Sequence, residues 1–281
     1  MCNEKTHDEE KPVEKEVKFF HDKTQKFLFD YFSPDFLKAF DIEYTFKQTL
    51  NTEIIAYGKH TLRMDVLIET EEGILLNIEF QSTSLDKSVL RRFFEYAYFS
   101  SLKYEGAIES YVISTKVKKS TTKYLSIAGK FDYPFEVIAL KEIDGGSLLD
   151  VLEYKMENGI DLENPEIVKL SLIGYTSFDQ SFEEIFIRAI TILNNVKTLN
   201  IVIIKDIKYI MEMQYRRLAK RELEGELKEV FNMGPSILEE GIEIGILKMV
   251  EKMLDKGYPI DDISEMSGLS VDEIFSLKNS K

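Results

Sequence analysis

Residues 62–81, LRMDVLIETEEGILLNIEFQ, hold two runs rich in Val, Ile and Leu on either side of a TEEG turn closed by Gly73. Such a pattern predicts a β-hairpin. Side chains alternate faces along a strand. On the second run Leu75, Asn77, Glu79 and Gln81 therefore share one face, and Ile74, Leu76, Ile78 and Phe80 share the other. The second of these faces is purely apolar and is expected to meet the core. On the first run Arg63, Asp65 and Leu67 share a face, opposite Met64, Val66 and Ile68.

If the turn centres on Glu72, Asp65 stands opposite Glu79. Opposed residues have Cβ atoms about 4.5–5.5 Å apart, a distance at which like charges destabilise a hairpin. A divalent cation would offset the repulsion. Mg²⁺ takes carboxylate oxygens at about 2.0–2.1 Å and keeps several waters that a phosphate can replace. A slip of one residue would void this geometry. The ordinary alternative is an exposed sheet face with unrelated charged residues, and spacing alone leaves both readings open.

Working outward, residues 17–40, VKFFHDKTQKFLFDYFSPDFLKAF, have helical aromatic spacing, with a break between two helices expected at Ser33-Pro34. Their Phe and Tyr residues fit a core better than a stacking platform. Residues 87–105 form an amphipathic helix, and 108–116 and 133–140 read as further strands. This order predicts an α/β core over 17–145, after a solvated tail at 1–16. Gly145-Gly146 reads as a turn into a mostly helical stretch, 146–232, followed by a small helical tail, 233–281. In that tail Ser270 and Glu273 form an S-x-x-E capping box. A helix-turn-helix there would present Asp272 and Glu273 with no arginine to read guanine, so packing or homo-oligomerisation fits better than base reading.

Composition is that of an ordinary globular chain, with 44% hydrophobic and 31% charged residues. No apolar run approaches the roughly 18 residues of a membrane span. The charged N-terminus lacks the apolar region of a signal peptide. The single cysteine, Cys2, excludes an internal disulfide and fits a reducing, cytoplasmic setting. His7, His21 and His60 lack zinc-helix spacing. The net charge of −14 opposes tight binding to a polyanion unless positive charge is concentrated locally or metal ions are recruited. Two clusters offer such concentration: Lys116, Lys118, Lys119 and Lys123, and Arg216, Arg217, Lys220 and Arg221. Each is either a phosphate-tracking surface or a solvated face.

The motif Asp65…Glu79-Phe80-Gln81, followed by a helix, resembles the PD-(D/E)XK nuclease superfamily. Within it, the chain looks like the Rpn-like family of recombination-promoting nucleases and putative transposases. HDKTQKFLF at 21–29, the helix from Arg92 and Tyr96 through Tyr104, and 239–277 carry the further likeness, while 146–230 matches weakly. The resemblance implies a restriction-endonuclease-like mixed sheet flanked by helices, with a helical C-terminal region. It implies a metal-dependent DNA endonuclease linked to recombination or mobile elements, with Asp65 and Glu79 holding Mg²⁺ or Mn²⁺. Asp22 stands where the superfamily often has a further acidic residue. Gln81 takes the place of the usual lysine; it is neutral and no general base, so water activation would fall to the metal. Arg92 and Tyr96 share a helix face, where they serve either phosphate contact and support of Glu79, or a surface ion pair and packing on the sheet. The alternative function is an inactive nuclease fold that binds nucleic acid or a protein.

Overall fold

The computed structural model describes residues 27–56 and 60–231, and in the C-terminal stretch 249–250, 252–254, 256, 258–267 and 274. The predicted hairpin is there in the predicted register. Strand β4 (Val66–Thr70) pairs antiparallel with β5 (Ile74–Gln81), with Val66 against Ile78 and Leu67 against Asn77. Gly73, at φ 77°, adopts the left-handed conformation that closes the turn. One correction applies: 62–69 is not one strand. It breaks at Met64-Asp65, and β3 (His60–Arg63) pairs with β2 (Glu53–Ala56) in a separate two-stranded hairpin.

The main sheet has six strands in the order β1-β4-β5-β6-β8-β7. Here β1 is Phe46–Thr49, β6 Ala107–Ser114, β7 Thr121–Ile127 and β8 Phe131–Ala139. Pairings β5–β6 and β6–β8 are parallel and the rest antiparallel, so the sheet is mixed. Strands β1, β2 and β7 are short or carry exposed polar residues, and their weak apolar alternation hid them in the sequence.

Helix α2 (Lys87–Tyr104) links β5 to β6. Asp86 starts it by accepting from Ser88 N at 2.8 Å and Val89 N at 3.0 Å. Its Leu90 and Phe93 pack with Val112, Leu125, Phe135 and Val137 on one side of the sheet. The other side, with Val66, Ile68, Leu76, Ile78 and Ile113, meets α1 (27–39) and the later helices in one continuous cluster. Those helices are α3 (Gly145–Glu157), α4 (Asn164–Ser171), α5 (Phe182–Asn194), α6 (Ile201–Ala219) and α7 (Gly225–Phe231). The stretch 146–232 is helical as expected, and it shares its core with the sheet.

Two further expectations are corrected. Helix α1 runs through Ser33-Pro34 without a break. Buried Phe29, Phe32, Phe36 and Leu37 hold it on the core across the proline, and the Ser33 hydroxyl bonds back to the Phe29 carbonyl at 2.6 Å. Gly145-Gly146 is not a turn but the first turn of α3, capped by Asp144 accepting from Ser147 N. A Cβ on Gly145 would sit 2.3 Å from Thr176 Oγ1, so close packing explains that glycine. The last helix, Ile260–Ser267, belongs to a small cluster with Val250, Met253 and Ile274. The capping box at Ser270–Glu273 lies outside the described residues. Among the described residues, no helix is long and apolar enough to cross a membrane.

Phe36 ties α1 to the sheet through edge contacts with Phe29, Phe40 and Phe80, with centroids at 5.6, 4.9 and 5.7 Å. Phe36→Ala is expected to lower unfolding free energy by about 3–5 kcal/mol in urea titration. A loss under about 1 kcal/mol would show that this aromatic cluster is not part of the cooperative core.

Candidate active site

The polar face of the hairpin is not exposed. Leu75, Asn77, Glu79 and Gln81 are 3%, 0%, 4% and 8% accessible, because α2 lies over them. Glu79 is therefore no ordinary charge on an open sheet, while Asp65 is half-buried. A buried carboxylate needs a partner or a cation, since its charged form is costly to desolvate.

Asp65 sits at a bend just before β4 begins. Its Oδ2 accepts the Phe80 backbone N–H at 2.8 Å, which brings its carboxylate to the strand that carries Glu79. Met64 N meanwhile donates to Thr52 O at 3.1 Å, turning the chain into the β2–β3 hairpin. Gln81 closes β5, and its amide donates to the Thr83 hydroxyl. In the parallel register Gln81 stands beside Ser114, and Thr115 N donates to Gln81 O at 3.2 Å.

Tyr96, on α2, reports on the whole arrangement. Burial pushes its hydroxyl from 10.0 up to about 12; the Glu79 carboxylate adds to the rise, Arg92 opposes it, and Asp65 adds again. Arg92 itself is exposed, lies over the Phe93 ring at 5.0 Å, and makes no ion pair among the described residues. The surface ion pair considered for it is not found there, while Tyr96 packs in the cluster beneath α2.

The donors suit a hard cation. Asp65 and Glu79 offer carboxylate oxygens, and among the described residues no group of three or more His, Cys, Asp or Glu is placed to hold a metal. Two carboxylates with retained waters match the usual environment of Mg²⁺, which relies on one or two carboxylates and on the substrate phosphate. Asp65 also lines a cleft of about 190 Å³ with Asp30, Thr49, Asn51 and Thr52. Asp22 lies outside the described residues; Asp30, on α1, is the helix carboxylate that shares this cleft. The available signal for Asp30 was a charge inside the aromatic run FLFDYF at 27–32.

The two basic clusters separate. Lys116, Lys118 and Lys119 are exposed in the loop that follows β6, beside the Gln81 end of β5; Lys123 is exposed on β7. None of the four makes an ion pair among the described residues. Ser114 shapes that loop by accepting from Lys116 N and Val117 N at 3.2 and 3.1 Å. In the second cluster two of the four residues meet carboxylates. Arg216 pairs with Glu212 at 2.7 Å and with Glu222, Arg221 pairs with Glu183, Arg217 bonds to Tyr175, and Lys220 ends α6 in a left-handed conformation.

Comparison with family models, with curated proteins and with solved structures finds no match to this chain.

The Tyr96 hydroxyl holds its proton more tightly folded than unfolded. Its contribution to stability is therefore complete below about pH 10 and is lost as pH rises towards 12. The tyrosinate absorbance assigned to Tyr96, read as wild type minus Tyr96→Phe, is expected to appear near pH 12. Its appearance at the ordinary tyrosine value would mean that the hydroxyl lies in open solvent.

Proposed function

We propose that this chain is a Mg²⁺-dependent DNA endonuclease built on a PD-(D/E)XK-type core. The observation that supports the reading is the Asp65 carboxylate held by the Phe80 N–H, next in β5 to the buried Glu79, which the β4–β5 register carried one residue further sets across from Asp65. The mixed sheet flanked by helices and the Asp65…Glu79-Phe80-Gln81 order agree with the resemblance to the Rpn-like family.

Asp65 and Glu79 would hold the cation between them. When bound, it supplies Lewis acidity towards the phosphodiester and lowers the pKa of a coordinated water. Asp65 is oriented by the Phe80 N–H, and α2 shields Glu79 from bulk water, which strengthens its field. Gln81 bears no charge, so it orients a water or phosphate oxygen through its carboxamide and takes no proton. Arg92 neutralises phosphate charge at the α2 edge. Lys116, Lys118 and Lys119 track the backbone of the DNA beyond the cut, an interaction without base preference.

Plasmid nicking with Mg²⁺ or Mn²⁺ tests the assignment. Asp65→Ala and Glu79→Ala are each expected to reduce it by about a hundredfold or more, since each removes part of the charge stabilisation that a held cation provides. Equal cutting by wild type and variants would refute the site. DNA binding without cutting by wild type would favour the inactive, nucleic-acid-binding alternative.

The lysine loop makes a separate prediction. Replacing Lys116, Lys118 and Lys119 together by Ala should weaken DNA binding for every sequence and reduce the slope of log affinity against log salt by about 2–3, near 0.9 per lost phosphate contact. Arg221→Ala should leave that slope unchanged, because Arg221 is already paired with Glu183. The opposite pattern would move the DNA to the helical side of the molecule.

A further inference from the structure

Strand β5 reads ILLNIEFQ, and its one amide before the site, Asn77, is fully buried. Neither its Nδ2 nor its Oδ1 has a hydrogen-bond partner among the described residues. Asparagine is disfavoured within strands, and a buried carboxamide without partners carries a large desolvation penalty. Packing alone would favour Val, Leu or Ile, as at the neighbouring positions.

The hydroxyls around it are committed. Ser110, its neighbour in the parallel register, is bonded to Tyr133 at 3.0 Å, and Ser100 of α2 bonds back to the Tyr96 carbonyl at 2.7 Å. Leu67, its antiparallel partner, offers no polar atom. What Asn77 does share is a strand face with Glu79. Backbone positions two apart on one face are separated by about 6.6 Å, and a single water making two hydrogen bonds of about 2.8 Å at its tetrahedral angle bridges polar atoms about 4.5 Å apart, within the reach of these two side chains. Buried waters typically serve such otherwise unsatisfied groups.

We propose that Asn77 is a positioning residue for Glu79: its carboxamide holds an internal water that also donates to the Glu79 carboxylate, fixing the orientation in which that carboxylate meets a divalent cation. The water accepts from Nδ2 and gives one O–H to Glu79, so the strand interior and the site share one hydrogen-bonded chain. The inference rests on Glu79 being the metal ligand proposed above.

Two measurements on the full chain test it. In metal-free, deuterated protein, the Asn77 side-chain NH₂ is expected to show a cross-relaxation peak to a long-lived water, and Glu79→Met should abolish that peak. No such peak in wild type, or its persistence in Glu79→Met, overturns the proposal. The second measurement is Mn²⁺ affinity by calorimetry, with Asn77→Val and Asn77→Thr as a matched pair of similar shape that differ in the hydroxyl. Asn77→Val should weaken Mn²⁺ binding about tenfold, the worth of one hydrogen bond to a charged group, without lowering the melting temperature. Asn77→Thr should stay within about threefold of wild type by keeping a polar anchor for the water. Wild-type Mn²⁺ affinity in Asn77→Val overturns the positioning role. A wild type that binds no Mn²⁺ sinks the nuclease reading instead, and the water peak and its loss in Glu79→Met then decide on their own whether Asn77 and Glu79 are joined.

Discussion

The Phe80 N–H donates to the Asp65 carboxylate where the β4–β5 ladder runs out, and the arrangement around the site depends on that bond. A backbone N–H at a strand end that faces the protein must find an acceptor. Here a side chain supplies it. The chain at residues 64–65 is thereby free to leave the main sheet and pair β3 with β2. One carboxylate thus holds the end of a strand beside the start of a second hairpin and lines the cleft shared with Asp30. An alanine at 65 would remove a carboxylate and a structural acceptor together.

Helix α2 supplies the second constraint. It closes over a strand face that is half polar, where an open sheet would have left those groups hydrated. Its aromatic residues seal the β6–β8 side, and Tyr96 packs against the same cluster. Burial in this form raises the stakes for each polar atom beneath the helix, because interactions strengthen and unmatched groups become costly in the same low-dielectric space.

Much of this was legible from residue order. The 2-residue period of 74–81 and the Gly73 turn were enough to place Val66 against Ile78, and the opposition of Asp65 and Glu79 follows from that register. The helix at 87–105 and the strands at 108–116 and 133–140 were equally clear. The break at Met64-Asp65 was not, since LRMDVLIE alternates as smoothly as one strand; only the side-chain bond to Phe80 divides it. The continuous α1 was hidden because a local rule about proline lost to four buried apolar side chains. Strand β7 was missed because TTKYLSI is an edge segment with its polar residues exposed. Whether a cluster of arginines is free or neutralised was also beyond reach: Glu183 lies 38 residues from the Arg221 that it pairs with.

Arg216 on α6 and Arg221 just beyond it, both paired with carboxylates, have a consequence for encounter. In a chain with 50 acidic and 36 basic residues, their positive charge is met by carboxylates close to its source, while the exposed lysines after β6 make no ion pair among the described residues, although Glu142 lies near Lys119. If the chain binds a polyanion as proposed, approach at the lysine loop would be favoured over roughly a Debye length, about 8–10 Å at ordinary ionic strength, and orientation would be selected before any contact forms.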